Sequence, residues 1–292
     1  MFKKLFGNKP KVEDNKNVQE NEQLENPTEL LMVKLFFKKK PIFNDKLIEE
    51  ELKKRFEKIE FPNTSEKTEN SRHYFFKDYE VKFAEGNIPA QATIFVPDEI
   101  KIDYSELITS FRQSWNWQQA EDTVKNCSHE ILLTDLMSRN LDYKGRIEYF
   151  QKFVVSIVSA MKPSAVWIRN SEVILEPNDF IEKGSQNNCQ NINAFMNVRL
   201  FNIQESENEM IMDTLGLNSL GLPDFEFRFK TYDPQKIAGL LFNYGHYIFE
   251  NGVVIEHGNT IEGIEENEKL NCYFNDSQLE PKRIVIEINN GG

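Results

Sequence analysis

One segment constrains the fold more than any other: YKGRIEYFQKFVVSIVSAM, residues 143–161. Ile147, Phe150, Val154, Ile157 and Met161 recur at spacings of 3, 4, 3 and 4, the period of one apolar helix face, and Pro163 ends the run. Glu148 and Lys152 sit four apart on the wet side, a pair worth about 0.3 kcal/mol. An apolar stripe of this length must be buried against another layer. The apolar runs on either side of it are of strand length, so the chain reads as α+β with largely antiparallel sheets.

Upstream, LLMVKLFF from Leu30 reads as a strand, and Asn44 or Asp45 caps a helix with Ile48, Leu52, Phe56 and Ile59 inside and Pro62 as its stop. HYFF, YEVKF and IPAQATIFV follow as a meander. Asp103 opens a second helix with Glu106 completing a capping box, and HEILLT is a further strand. This β-α-β-β-α-β order is that of a ferredoxin-like unit. Residues 30–142 are therefore expected to form a ferredoxin-like N-terminal lobe. Residues 143–292 are expected to form a second strand-rich α+β lobe that begins with the connecting helix. Its strands are read in AVWIR, EVIL, NAFMNVRLFNI, EMIMDTL, DFEFRFK, VVIEHG, KLNCYF and RIVIEI. Asp233-Pro234 starts a last helix and Asn251-Gly252 ends it. Gly239 and Gly245 inside that helix call for a closely approaching backbone.

Charge divides the chain differently. The net charge is -12. Residues 1–11 carry four lysines and no acid, whereas residues 12–29 carry six acids and one lysine, so 1–29 reads as a basic tip and a disordered acidic linker. The remaining body holds about -11 (-12 - 4 + 5). A body this acidic repels phosphate, so no nucleic-acid partner is expected. Phe2, Leu5 and Phe6 among the tip lysines allow weak contact with a membrane surface by residues 1–11, at about 1 kcal/mol per basic residue. The longest apolar run, FVVSIVSAM, is about half a membrane span, so no transmembrane segment is expected. Cys127, Cys189 and Cys272 form no C-x-x-C, which points to buried, reduced thiols and a cytoplasmic setting.

Common catalytic signatures are missing. The chain has neither G-x-G-x-x-G nor G-x-x-x-x-G-K-[ST], Leu133 stands where H-E-x-x-H needs its second histidine, and Ser219 lacks the spacing of a G-x-S-x-G elbow. Three sets remain as candidates. Asp224 and Glu226 lie two apart after TLGLNSLGLP, with Gly216 and Gly221 suited to positive φ; they are either ligands for a cation or basic peptide, or the wet face of a strand whose Phe225 and Phe227 point inward. The wet-face reading is favoured, because simple alternation produces it. Trp115 and Trp117 flank Asn116; on an extended chain they share a face for stacking, and on a helix they diverge into packing, the favoured alternative. His246, Glu250 and His257 are the ligand types of a metal site, with His246 and Glu250 one helical turn apart. Neither a second supporting shell nor a cofactor is expected. Arg169, Arg199 and Arg228 each end or interrupt an apolar strand.

Several phrases occur together: WNW with Ala120 and Cys127, AVWIRNSEVILEPNDF, NVRLFNI, MDTLGLNSLGLPDFEF and GVVIEHGNTIEG. This series resembles the bacterial family known as domain of unknown function 4261, over roughly residues 30–288, most specifically at 213–227. The resemblance implies one continuous domain and no catalytic residues. Together these readings point to a non-catalytic binding or adaptor protein that engages a protein partner through an acidic surface. The alternative is a metal-dependent enzyme using a His/carboxylate site.

Overall fold

A computed structural model describes residues 27–61, 70–97, 102–204 and 206–289. The basic tip and most of the acidic linker lie outside the described residues. Among the described residues, two sheets and six helices bury a main apolar cluster that runs from Leu31 to Ile288 and a second, smaller one around Phe36 and Trp167.

The first sheet has seven strands: β1 (Met32–Phe37), β2 (Ile59–Glu60), β3 (Ser71–Phe83), β4 (Gly86–Phe95), β5 (His129–Leu136), β6 (Ala165–Ile168) and β7 (Val173–Leu175), in the order β2-β3-β4-β5-β1-β6-β7. HYFF and YEVKF are one strand, β3, with a register shift between Phe76 and Glu80. Helix α1 (Asp45–Lys53) is capped by Asn44, whose Oδ1 accepts from Leu47 N at 3.2 Å. It packs beside α4 (Tyr143–Met161), the helix read from the 143–161 stripe. Val33, Leu35 and Phe37 face these helices, while Phe36 points to the other side. There it meets Leu107, Ala120, Val124, Ala165, Trp167 and Ile174 under two short helices, α2 (Ile108–Arg112) and α3 (Ala120–Lys125).

The mixed α+β class with mostly antiparallel pairing holds, but the strand order is not that of a ferredoxin-like unit. Such a unit would pair β1 with β4; here β5 lies between them, antiparallel to both. The reason lies in the β4–β5 connection. Its helices cover the face opposite α1 and α4, so β5 returns beside β4. The expected boundary at 142/143 also falls inside one sheet, because β6 and β7 extend it from β1.

The second sheet comprises β8 (Asn197–Asn202), β9 (Met210–Leu215), β10 (Asp224–Phe229), β11 (Thr260–Glu262), β12 (Lys269–Asp276) and β13 (Ile284–Asn289), in the order β11-β12-β13-β10-β9-β8. Among the described strands only β10 and β13 pair in parallel. Helix α6 (Pro234–Asn251) lies on β8, β9 and β10, buries Ile237, Leu241 and Ile248, and starts at Asp233, whose Oδ1 accepts from Gln235 N. Gly252 closes it with φ 77°. VVIEHG forms no strand; the pairing begins at Thr260. Helix α5 (Pro177–Gly184) packs on α4 and β6.

Gly216 has φ 129°, and a Cβ there would lie 2.0 Å from Phe195 O, so only glycine fits. Gly245 meets a side chain, not the expected backbone: its Cβ would lie 2.2 Å from Met196 Sδ. Gly239 has nothing within 4 Å. All three cysteines are buried and free.

Candidate functional site

Asp224 and Glu226 are not a wet face. β10 is an inner strand between β9 and β13, and the segment from Gln278 to Arg283 covers the face that bears the two carboxylates, which are 0% and 1% exposed. A charge at such a position must be paired. Arg199 on β8 donates through Nε and Nη2 to the two oxygens of Asp213 on β9, at 3.0 and 2.5 Å. Arg283, just ahead of β13, donates Nη2 to Asp213 at 2.6 Å and Nε to Asp224 at 3.0 Å. Asp224 also accepts from Thr214 Oγ1 and from the backbone N–H groups of Leu217 and Asn218. Glu226 accepts Gln278 N on both oxygens at 3.1 Å. Burial pushes both carboxyls above their ordinary range, while Arg283 and hydrogen bonds pull Asp224 back. This network clamps four strands together and has no surface to offer a ligand. Of the three arginines singled out in the sequence, only Arg199 enters it; Arg228 pairs with Glu209 at the surface.

The metal-like set does not converge. His246 Nε2 lies 2.8 Å from Asn193 Oδ1, Glu250 pairs with Lys144 at 3.1 Å, and His257 Nδ1 accepts from Phe274 N at 3.2 Å beside the Tyr273 ring. Each side chain has its own partner on a different element. Among the described residues no group of three or more His, Cys, Asp or Glu is placed to hold a metal ion. Burial holds the His246 imidazolium below its ordinary pKa, opposed by Glu250.

The two tryptophans part company. Trp117 packs against the Leu107–Trp167 cluster beneath the first sheet, as a packing anchor. Trp115 instead stands 61% exposed, yet it is held in place, because its Nε1 donates to Gln113 Oε1 at 3.0 Å. Gln113 is itself buried and in turn fastened to the edge of the second sheet. Its Nε2 donates to Leu200 O at 2.9 Å and its Oε1 accepts from Leu200 N at 3.2 Å. The amide orientation is therefore set by two N–H donors on one atom.

Trp115 stands on the rim of a cavity of about 590 Å³. Its walls are β7, α5, residues 191–198, β8 and the first half of α6. Two chemical classes dominate them. Carboxamides come from Gln113, Asn116, Gln151, Asn191, Asn193 and Asn197, with Gln235 and Asn243 added by α6; apolar groups include Phe180, Met196, Leu200 and Phe242. Neither histidine nor cysteine is on the wall. The two charged residues there, Asp179 and Lys183, pair with each other at 2.9 Å. A neutral, largely apolar hollow of this size with a few polar groups is the usual form of a recognition site. Among the described residues that line it, no nucleophile stands beside a base. Position 115 apart, sequence reasoning did not reach it, because its walls come from six separated stretches. The cluster of Asn and Gln at 186–197 and the Glu176-Pro177 start of α5 were local signs of a structured polar wall.

Residues 213–289 match the profile of a family described as domain of unknown function (DUF4261). The matched stretch runs from the middle of β9 to the end of β13 and includes Asp213, Asp224, Glu226 and Arg283. No curated protein and no solved structure is similar to the chain. No helix of the described residues is long and apolar enough to cross a membrane.

Proposed function

We propose that this is a non-catalytic binding protein that engages a polypeptide partner, with the cavity beside Trp115 as the contact. One observation carries the reading: a preformed hollow whose walls combine carboxamides with apolar side chains, whose only charges cancel, and whose rim holds a fixed, exposed indole. Aromatic anchors beside adaptable polar groups suit recognition, whereas chemistry would call for a general acid, base or nucleophile. The body charge of about -11 adds long-range attraction for a partner with basic flanks, which raises the rate of encounter more than the affinity. The metal-dependent reading draws no support from His246, Glu250 and His257, each held by a different neighbour. A cytoplasmic setting and reduced thiols accord with this reading.

The test is to plug the hollow. Gly239 lies on its wall, and a Cβ added there would have nothing within 4 Å, so Gly239→Trp fills space without displacing backbone. A displayed library of random linear peptides is selected on the parent and on this variant, after matched thermal melts. Enrichment on the parent alone is expected. No enrichment on the parent, or the same peptides on both proteins, refutes the reading.

A further inference from the structure

The two sheets end at the same place. β7 is the last strand of the first sheet and β8 the last of the second, and Val173, Leu175, Val198 and Leu200 from these edges all line the cavity. A free sheet edge is a template for another strand, and proteins commonly cover it. On β8 the cover is partial. The reciprocal hydrogen bonds between the Gln113 carboxamide and Leu200 N and O are those that a neighbouring strand would make. They also fix which residues of β8 face outward. Leu200 does, so Val198, two residues earlier, turns its N–H and C=O to the same side, and Arg199 turns inward to β9. Among the described residues nothing pairs with those groups of Val198.

A second observation points into the same space. Gln151 is fully buried, and its Oε1 accepts from Asn191 N at 3.3 Å, which leaves Nε2 as a donor with no acceptor among the described residues. That Nε2 faces Gly184, where an added Cβ would lie 3.1 Å away, and both residues line the cavity. Asn197 Nδ2, at the start of β8, is likewise without an acceptor among the described residues. A buried donor left unpaired costs about 1–3 kcal/mol, and both atoms are closed to solvent, so their relief takes oxygen acceptors pressed against a wall that yields. A row of backbone carbonyls provides them.

We infer that the cavity captures an extended, uncharged peptide segment that adds as a strand to the free edge of β8 at Val198. This rests on the polypeptide reading above. Gln113 closes the edge beyond that point and so sets the register, while Trp115 covers one side chain of the guest. Backbone pairing supplies affinity and alternate side chains supply selectivity in this mode of recognition. The neutral wall favours a segment without charges, since a charge would be desolvated there without a partner.

The experiment uses the full chain and a peptide enriched on the parent, remade with single backbone N-methyl groups along its length. In an antiparallel pairing, methylation is expected to weaken binding about tenfold at the residue opposite Val198 and to leave its immediate neighbours nearly unchanged, and in a parallel pairing the sensitive position is the residue after it. Val198→Pro, which removes the edge N–H, is expected to weaken the unmodified peptide by a similar factor. A peptide that binds the parent but not Gly239→Trp, and is indifferent to N-methylation everywhere, overturns strand addition while leaving the cavity as the binding site. A parent that ignores peptides and binds a neutral oligosaccharide panel overturns both. Because N-methylation alters only the guest, the test stands even if Val198→Pro fails to fold.

Discussion

Replacing Asp213 by Asn removes one charge from the clamp across β8, β9, β10 and β13. Its two oxygens receive three donations, two from Arg199 and one from Arg283, and all three side chains are at most 6% exposed. Asparagine keeps the size but loses the charge and turns one oxygen into a donor that faces guanidinium N–H groups, of Arg199 at the Oδ1 position or of both arginines at the Oδ2 position. Glu172 and Asp224 remain as partial counterions, at 3.0 Å from Arg199 and Arg283 respectively. Breaking a buried pair by removing one partner costs about 3–5 kcal/mol, out of a total stability on the order of 5–15 kcal/mol. For a chain of this size that corresponds to a fall in melting temperature of roughly 10 °C. The assay is urea unfolding and a thermal melt of the parent and Asp213→Asn, with Glu209→Gln as control. Glu209 pairs with Arg228 at the surface, so its loss is expected to cost little and to shrink in high salt. If Asp213→Asn costs no more than Glu209→Gln, the network does not bind the four strands together, and its description as a clamp is wrong.

Other consequences are local. Gly216→Ala places a Cβ on Phe195 O at a φ that alanine resists, so on the order of 4 kcal/mol or failure to fold is expected; a melt near the parent's would contradict the geometry. His246 favours its neutral form in the fold, so the unfolded chain takes up the proton first as pH falls. The stability from this residue is present above about pH 6.5 and is lost as pH drops through the lower folded value. His246→Gln is therefore expected to lose less stability than the parent between about pH 7.5 and about pH 5; equal losses refute the assignment. Gly239→Ala has open space for its methyl and gains helix propensity, so a stabilisation of about 0.5–1 kcal/mol is expected in denaturant unfolding, and a destabilisation contradicts it.

What the chain discloses locally and what it does not follow from the range of the forces. The caps at Asn44 and Asp233, the exit at Gly252 and the face of α4 are set within one or two turns of the residues concerned, so their spacing reveals them. Strand order depends on which strands meet, and β5 sits between β1 and β4 for reasons carried by the helices of the β4–β5 connection. Alternation along DFEFRF was legible, but its meaning was not. Asp224 looks like a solvent-facing residue until Arg283, 59 residues away, reaches it inside the sheet. The cavity is hidden for the same reason: Gln113 is matched to Leu200 across 87 residues, and no local pattern marks either as an edge cover. Trp115 and Trp117 were visible as a pair with packing favoured for both, and the exposure that separates Trp115 from Trp117 comes with that distant anchor.

Phe242 and Phe83 offer the most direct comparison, since both rings are comparably exposed, at 37% and 39%, and only Phe242 lies on the cavity wall. A photoreactive benzoylphenylalanine is placed at either position, and a peptide selected on the parent is irradiated with each protein. Recognition in the cavity predicts attachment at position 242 and little at position 83, with the 242 adduct suppressed by excess unlabelled peptide. Equal labelling at both, or labelling only at 83, would contradict it.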